Sequence, residues 1–491
     1  MIKIHKEDVL AGFIVFLIAL PLSIGIAIAA GAPASAGLLS AILGGIIGTL
    51  ITGTHITING PAAGLIVVIS SSIIGLSENG DLLLGFKRTL AATMIAGGLQ
   101  IILGVLRGGR LTFLAPLSVV HGMLAAIGAI IMIKQLPVLL GVTPKAQSIM
   151  QLAFEAPNML LSSNIPVVLI SASSVFVILA WKLLPKKIQL YFPAPLVVVV
   201  IGLIFSYSMN FEMIHDVDIF SHLFTIGPRF LVHVPKSFDG LFIFPVFDVV
   251  TSWQSLLSVT SIFVVCSLET LLSAYAVDKI DPEKRTSNLD LDLIGKGVTN
   301  IFCGALGAYP IITGIVRSSA NIAYGAKTKW SNFFHGIFLL ILVALVPDVI
   351  NHIPLSSLAA LLLFVGLRLA HPRHFLEVWN HGVDQFSLFC VTFVVTIIQD
   401  LLVGIAAGVS LKIIFHLIRG VRPRDFFWPK VKLQREGEKF YIEIHSPVVF
   451  LGYFEVKKVL EKIEDGTPVL IRDNGYFIDH TIKELLAEYS S

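Results

Sequence analysis

From Val9 through Ser77 the chain carries not one Asp, Glu, Lys or Arg. A bilayer crossing takes about 20 consecutive apolar residues, so this run alone has room for three. Apolar segments recur to about residue 418. Crossings are expected at 9–30, 35–53, 61–76, 89–106, 113–133, 165–181, 194–208, 253–277, 292–305, 312–324, 331–347, 354–367, 384–398 and 400–418. The first is expected to stay as a crossing and not to be cleaved as a leader, because it runs too far and lacks a polar break after a small-residue site. The reading is an all-α polytopic membrane protein with 14 transmembrane segments; twelve crossings with two buried hairpins is the alternative arrangement of the same segments. Only 14% of residues are charged, against about 25% in soluble domains. A net charge of +3 is too small to suggest nucleic acid. Cys266, Cys303 and Cys390 sit in or beside apolar segments without CxxC spacing and read as small hydrophobes, not as disulfide or metal ligands.

Lys and Arg set the orientation. Segments on the N-terminal side hold Lys3, Lys6, Arg107, Arg110, Lys182, Lys186, Lys187, Lys279, Lys284, Arg285, Lys327, Lys329, Arg368 and Arg373; the opposite loops hold Lys87, Arg88, Lys134, Lys145, Arg229 and Lys236. This bias puts the N-terminus in the cytoplasm, and an even number of crossings puts the C-terminus there too, in a multi-pass protein of the cell (inner) membrane. From about residue 425 charges become frequent. Phe440–Ile444 and Pro468–Ile471 read as strands, and Tyr453–Ile463 and Thr481–Tyr489 as helices, which makes a small α/β cytoplasmic piece over 425–491 after a transmembrane domain over 1–424.

Two segments break the apolar pattern. His55-Ile56-Thr57-Ile58-Asn59-Gly60-Pro61-Ala62-Ala63-Gly64 is a β-like stretch that runs into an apolar helical stretch. Pro suits a first helical turn and the residues before it favour extended backbone, so a helix is expected to start at Pro61, inside the membrane. The pattern returns at Gly307-Ala308-Tyr309-Pro310-Ile311-Ile312-Thr313-Gly314, leading into Ile315-Val316-Arg317-Ser318-Ser319-Ala320-Asn321. Matching interruptions in the two halves point to a transporter's substrate site, where half-helix N-termini offer free N–H groups to an anion. The competing reading is a pair of ordinary Gly/Pro kinks. Glu269, deep in the 253–277 crossing, and Arg317 add buried charge; such residues face a cavity or each other. Either they form a salt bridge that locks helices, or Arg317 supplies field to the anion and Glu269 is a coupling-ion or proton site.

These residues resemble the sulfate permease (SulP) family, solute carrier family 26. The matches are Ala19-Leu20-Pro21-Leu22-Ser23-Ile24-Gly25-Ile26-Ala27, the Gly60-Pro61 turn, Phe113-Leu114-Ala115-Pro116 with His121-Gly122-Met123 and Gln135-Leu136, and the long run Leu268-Glu269-Thr270-Leu271-Leu272-Ser273-Ala274, Gly297-Val298-Thr299-Asn300, Arg317-Ser318-Ser319-Ala320-Asn321-Ile322 and Gly325-Ala326-Lys327-Thr328. The resemblance implies a 7+7 inverted repeat (about 1–208 and 253–418) with core and gate domains, elevator-type alternating access and assembly as a homodimer. It implies an anion site at Gly60, Pro61, Ala62, Ala63, Ile315, Val316 and Ser318 beside Arg317. Members that couple to sodium carry Asp at the position of Glu269, with one hydroxyl a turn on and another in the later segment. Here the acid is Glu, Ser273 supplies the first hydroxyl, Ile315 stands at the second and Thr313 is displaced, so H+ or Na+ coupling, exchange and uncoupled transport all stay open. No other cofactor is implied. The tail resembles the start of the family's STAS domain, with Ile478-Asp479-His480-Thr481 like the loop before its first helix; the chain stops where a full domain would continue, and the full domain's nucleotide-binding roles are not carried over.

The motifs exclude familiar enzyme classes: no H-E-x-x-H, Walker A or nucleophile elbow occurs. His371 and His374, beside Arg368 and Arg373, read as a solvated basic loop. The phenylalanine-rich loop from Tyr207 to Ser252 is expected to pack on the extracellular surface. The reading is a secondary active transporter of small inorganic anions, with bicarbonate ahead of sulfate or chloride because an apolar site with backbone donors suits a small singly charged anion. The alternatives are an uncoupled anion channel on the same scaffold and a nucleobase–cation symporter, against which Arg317 argues because a neutral base needs no positive field.

Overall fold

The structure is a computed structural model that describes residues 5–113, 116–144, 148–185, 188–189, 192–219, 221–237, 239–426, 428–436, 439–460, 469–472, 476–479, 482–483 and 486. Every one of the fourteen apolar segments coincides with a helix. In chain order these are α1 (Lys6–Ala29), α2 (Ala34–Leu50), α3 (Leu65–Gly75), α4 (Leu82–Val105), α5 (Leu117–Leu140), then, after the intervening α6 (Ile149–Leu161), α7 (Ile165–Trp181), α8 (Ala194–Ser208), α9 (Trp253–Ile280), α10 (Leu289–Leu306), α11 (Ile315–Ala323) and α12 (Trp330–Leu345). After the short α13 (Pro347–Asn351) come α14 (Leu355–Leu369), α15 (Pro372–Asn380), α16 (Val383–Ile398) and α17 (Leu401–Ile418). Of the described helices, α1, α4, α5, α9 and α17 are individually long and apolar enough to cross a membrane, and α6 and α7 are bent by 110° at their junction.

Local chemistry sets the boundaries. Asp81 caps α4 by accepting from the N–H groups of Leu83 and Leu84, and Ser252 and Asn288 cap α9 and α10 in the same way. Gly307, at φ +84°, ends α10 in the left-handed conformation that glycine adopts without cost.

Contacts divide the chain into two compact units. One comprises Met1–Gly109, Leu124–His371 and Asp400–Leu402; the other comprises Arg110–Met123, Pro372–Gln399 and Val403–Ser491. In the first, α10 packs on α4, and α12 packs on α1 and α2. Its core includes Ile24, Leu38, Ile311, Leu339 and Leu358. Cys266 and Cys303 are buried free thiols. In the second, strands β5 (Val431–Glu436), β6 (Lys439–Ile444) and β7 (Val469–Arg472) form a sheet, antiparallel between β5 and β6 and parallel between β6 and β7. Helix α18 (Tyr453–Leu460) covers it through Val456 and Leu460. Lys412 of α17 forms a buried ion pair with Asp479 at 2.8 Å.

Several expectations are corrected. The helix expected from Pro61 begins at Leu65, after a turn at Ala63–Gly64. Lys87, Arg88 and Lys134 are not loop residues: α4 starts at Leu82 and α5 runs on to Leu140, so all three lie within helices. The His371–His374 region is not a loop throughout, since α15 begins at Pro372. The Tyr207–Ser252 loop contains a hairpin, β2 (His215–Ile219) with β3 (His222–Ile226), and Phe211 is buried against Val167, Ile170 and Leu231. Of the residues named above, Lys3, Leu114, Ala115, Lys145, Lys186, Lys187, Ile463, Pro468, His480, Thr481 and most of the 481–489 helix lie outside the described residues.

Candidate functional site

The two broken segments meet. Asn59–Gly60 (β1) and Ile312–Thr313 (β4) pair antiparallel, Asn59 opposite Thr313 and Gly60 opposite Ile312. Extended backbone among apolar helices leaves N–H and C=O groups that must be satisfied inside the protein, and asparagine and serine side chains do this. The Asn59 N–H donates to Asn332 Oδ1 at 3.0 Å, while Asn332 Nδ2 donates to the Gly44 carbonyl and Thr49 Oγ1. Asn321 Nδ2 donates to the Ile56 carbonyl at 2.8 Å. Asn300 accepts from the Ile311 N–H and donates to Gln100 Oε1. Ser318 Oγ accepts from the Ile58 N–H at 2.9 Å and donates to the Gly314 carbonyl at 2.8 Å. These bonds hold a fixed turn between the N-termini of α3 and α11. Neither N-cap, Gly64 nor Gly314, supplies a side-chain hydrogen bond. At the start of α3 the Leu65 and Ile66 N–H groups donate to the Ala62 and Ala63 carbonyls, while the first-turn N–H groups of α11 have no partner within their own helix.

The charges lie on the two edges of that turn. Arg317 is 4% exposed; its Nη2 donates to the Pro61 carbonyl at 3.0 Å, and its buried Nη1 has no partner among the described residues. Glu269 is 7% exposed, and its Oε1 likewise has none. The turn needs its two glycines for these groups: a Cβ on Gly60 would collide with Arg317 Nη1, and one on Gly64 with Glu269 Oε1. The locking salt bridge between Glu269 and Arg317 is absent among the described residues; each charge rests on its own glycine instead. Around them Gly60 and Pro61 are buried, Ala62, Ala63 and Val316 half-buried, and Ile315 exposed, so the partly exposed side chains beside the turn are apolar, and the guanidinium and carboxylate lie buried behind them.

Not every expected site residue gathers here. Ser318 is adjacent, but its hydroxyl is committed to Ile58 and Gly314. Ser273 is half-buried a turn beyond Glu269. Thr313 turns elsewhere: its Oγ1 donates to Asp292 Oδ2 at 3.2 Å. Asp292 also accepts from Thr52 at 2.9 Å and from Lys296 Nζ at 2.7 Å, and both members of that ion pair are fully buried. Sequence reasoning passed over Asp292 and Lys296, although two opposite charges four residues apart at the head of an apolar segment were the available signal.

Known proteins share this plan. Residues 6–396 match the Sulfate permease family. YvdB of Bacillus subtilis is 25% identical over 98% of this chain and 88% of that protein. The bicarbonate transporter BicA of Picosynechococcus is 25% identical over 83% of this chain and 70% of that protein. The solved transmembrane domain of a cyanobacterial bicarbonate transporter BicA superposes with a TM-score of 0.69 at 25% identity, covering 83% of this chain and 99% of that one.

Proposed function

The chain belongs to the sulfate permease family of membrane anion transporters, and on that premise we propose that it is a secondary active carrier of small inorganic anions that takes bicarbonate ahead of sulfate or chloride. The observation that carries the reading is the unpaired Nη1 of Arg317, buried at a turn flanked by two half-helix N-termini. A buried guanidinium with an open donor is costly to leave so, and an anion completes it. The anion sits between Gly60–Ala63 and Ile315–Val316, held by backbone N–H groups and Arg317, with Ser318 keeping the turn in shape. The bicarbonate preference is supported by the apolar wall of Ala62, Ala63, Ile315 and Val316 and by the similarity to BicA.

In this reading fourteen crossings form a 7+7 inverted repeat with both termini in the cytoplasm. The carrier works as a homodimer by elevator-type motion, and 425–491 is a partial STAS-like domain. Glu269, with Ser273 near it, carries the coupling ion, H+ or Na+. Thr313 takes no part, because its hydroxyl is engaged by Asp292. The nucleobase–cation symporter reading falls with the family assignment.

Uptake of labelled bicarbonate, sulfate and chloride into proteoliposomes, with and without proton and sodium gradients, tests the proposal. Accumulation of one anion against its gradient, lost selectively in Glu269→Gln, is the expected result. Equilibration of all three anions regardless of Glu269, without acceleration by anion on the far side, would replace the carrier by an uncoupled channel.

A further inference from the structure

Lys134 is a cation without an acid. It lies in the C-terminal half of α5, and its Nζ donates to Ser70 Oγ of α3 at 2.6 Å. None of the ion pairs among the described residues involves it. It lines a cavity of about 300 Å³ whose other walls include Gly25, Gln135, Val138, Leu358 and Leu362. These residues come from the C-terminal end of α1, the later part of α5 and the early turns of α14, so the cavity lies near the end of the bundle where α1 stops and α14 begins. Ser70 lies six residues beyond Gly64 along α3, a rise of about 9 Å at 1.5 Å per residue. Ser70, to which the ammonium is bonded, therefore stands roughly one and a half helical turns along α3 from the Gly64 end of the turn.

An ammonium that is half removed from water, with a neutral hydroxyl for company and apolar walls around it, keeps unspent donors and an uncompensated charge. Nothing in the Arg317 site uses it. A cavity of this size has room for roughly ten waters at liquid density, enough for a small inorganic anion that keeps part of its hydration shell. We propose that this cavity is a second, transient anion subsite, an antechamber in which Lys134 captures bicarbonate or sulfate before the anion reaches the half-helix turn. The inference rests on the carrier reading above and adds to it a residue that governs entry from one side.

Initial rates of sulfate and bicarbonate uptake by the full-length protein in proteoliposomes test it. Lys134→Met is expected to raise KM on the order of tenfold, as loss of one unit charge about 9 Å from the site does at an effective dielectric near 20. The maximal rate should change little and the dependence of KM on ionic strength should flatten. Lys134→Arg and Ser70→Ala should keep KM near that of the parent, since both retain the charge. If Ser70→Ala reproduces the effect of Lys134→Met, the bond is a latch between α5 and α3 and the subsite reading is overturned; an unchanged KM in Lys134→Met overturns it as well. A second measurement does not need transport. Sulfate should still raise the unfolding temperature of detergent-solubilised Arg317→Gln protein, and adding Lys134→Met should abolish that residual protection. Loss of all protection in Arg317→Gln alone would rule the subsite out while leaving the central site standing.

Discussion

Two pairs of opposite charges are buried in the same helical unit, and they are treated in opposite ways. Asp292 and Lys296 are closed on each other at 2.7 Å, with Thr52 donating to the same carboxylate oxygen as Lys296 and Thr313 to the other. Glu269 and Arg317 are nearly as buried, yet each keeps an atom with no partner, and each lies against a glycine of the turn between them. Burial alone therefore does not mark a site in this protein. What separates the two pairs is whether the opposite charges meet: Lys296 closes on Asp292, whereas Glu269 and Arg317 form no ion pair among the described residues.

The largest expected effect attacks the closed pair. Lys296→Met strands the Asp292 carboxylate and should destabilise the protein by about 3–5 kcal/mol, read as a lowered unfolding temperature in detergent. The double variant Lys296→Met/Asp292→Leu should recover most of it. A single variant as stable as the parent would dissolve the contrast. Next is the open pair. Arg317→Gln should slow transport by roughly 10- to 100-fold, corresponding to the 1.5–3 kcal/mol of a hydrogen bond to a charged group, with little change in unfolding temperature. If stability falls as far as in Lys296→Met, Arg317 is structural too. Gly64→Ala comes third: an added methyl meets Glu269, and overpacking of this kind costs about 1–3 kcal/mol. Combining it with Glu269→Ala should relieve most of that cost if the collision is its source.

The smallest effect belongs to a third cluster, outside both pairs. Arg88 donates to Asp248 at 2.9 Å and to Glu78 at 2.9 Å. Its hydrogen bonds hold the Asp248 carboxyl below the usual carboxylate range. A carboxylate depressed in the folded state stabilises above its unfolded value and loses that contribution as pH falls through the folded one. Asp248→Asn should therefore lower stability slightly at neutral pH, leave it unchanged in acid where the contribution is already lost, and so flatten a shallow acid limb of the stability profile. A drop at neutral pH as large as that of Lys296→Met would place this cluster with the closed pair.

Much of this was legible before the fold. Long apolar runs with few or no charges located every long apolar helix, because a crossing takes about 20 predominantly apolar residues. The Gly-Pro interruptions and the isolated Glu269 and Arg317 located the turn. The partners were not legible. That Thr313 faces Asp292, and that Arg317 reaches back to the Pro61 carbonyl, depends on segments far apart in the chain coming together, which no local pattern encodes. Lys134 was misplaced because a lysine near the end of an apolar run reads as a loop residue; only the continuation of α5 to Leu140 shows otherwise. The short helix α15 carries polar residues along its length, and α6, though largely apolar, has only 13 residues and is broken up by Gln151, Glu155 and Asn158, so neither shows the signal that marks a crossing. Ser148 with Gln151, a capping box at the start of α6, was a cue passed over.

The two-residue ladder between β1 and β4 has a thermodynamic consequence. Parting the half-helices would uncover main-chain groups amid apolar surroundings, at several kcal/mol for each group left unsatisfied. A seat that stays shut through the whole cycle has the same intrinsic affinity whichever compartment it is open to. On the carrier reading any difference between the two directions then lies in the approach to the seat, as at Lys134, while the sign of the work comes from concentrations and the membrane potential.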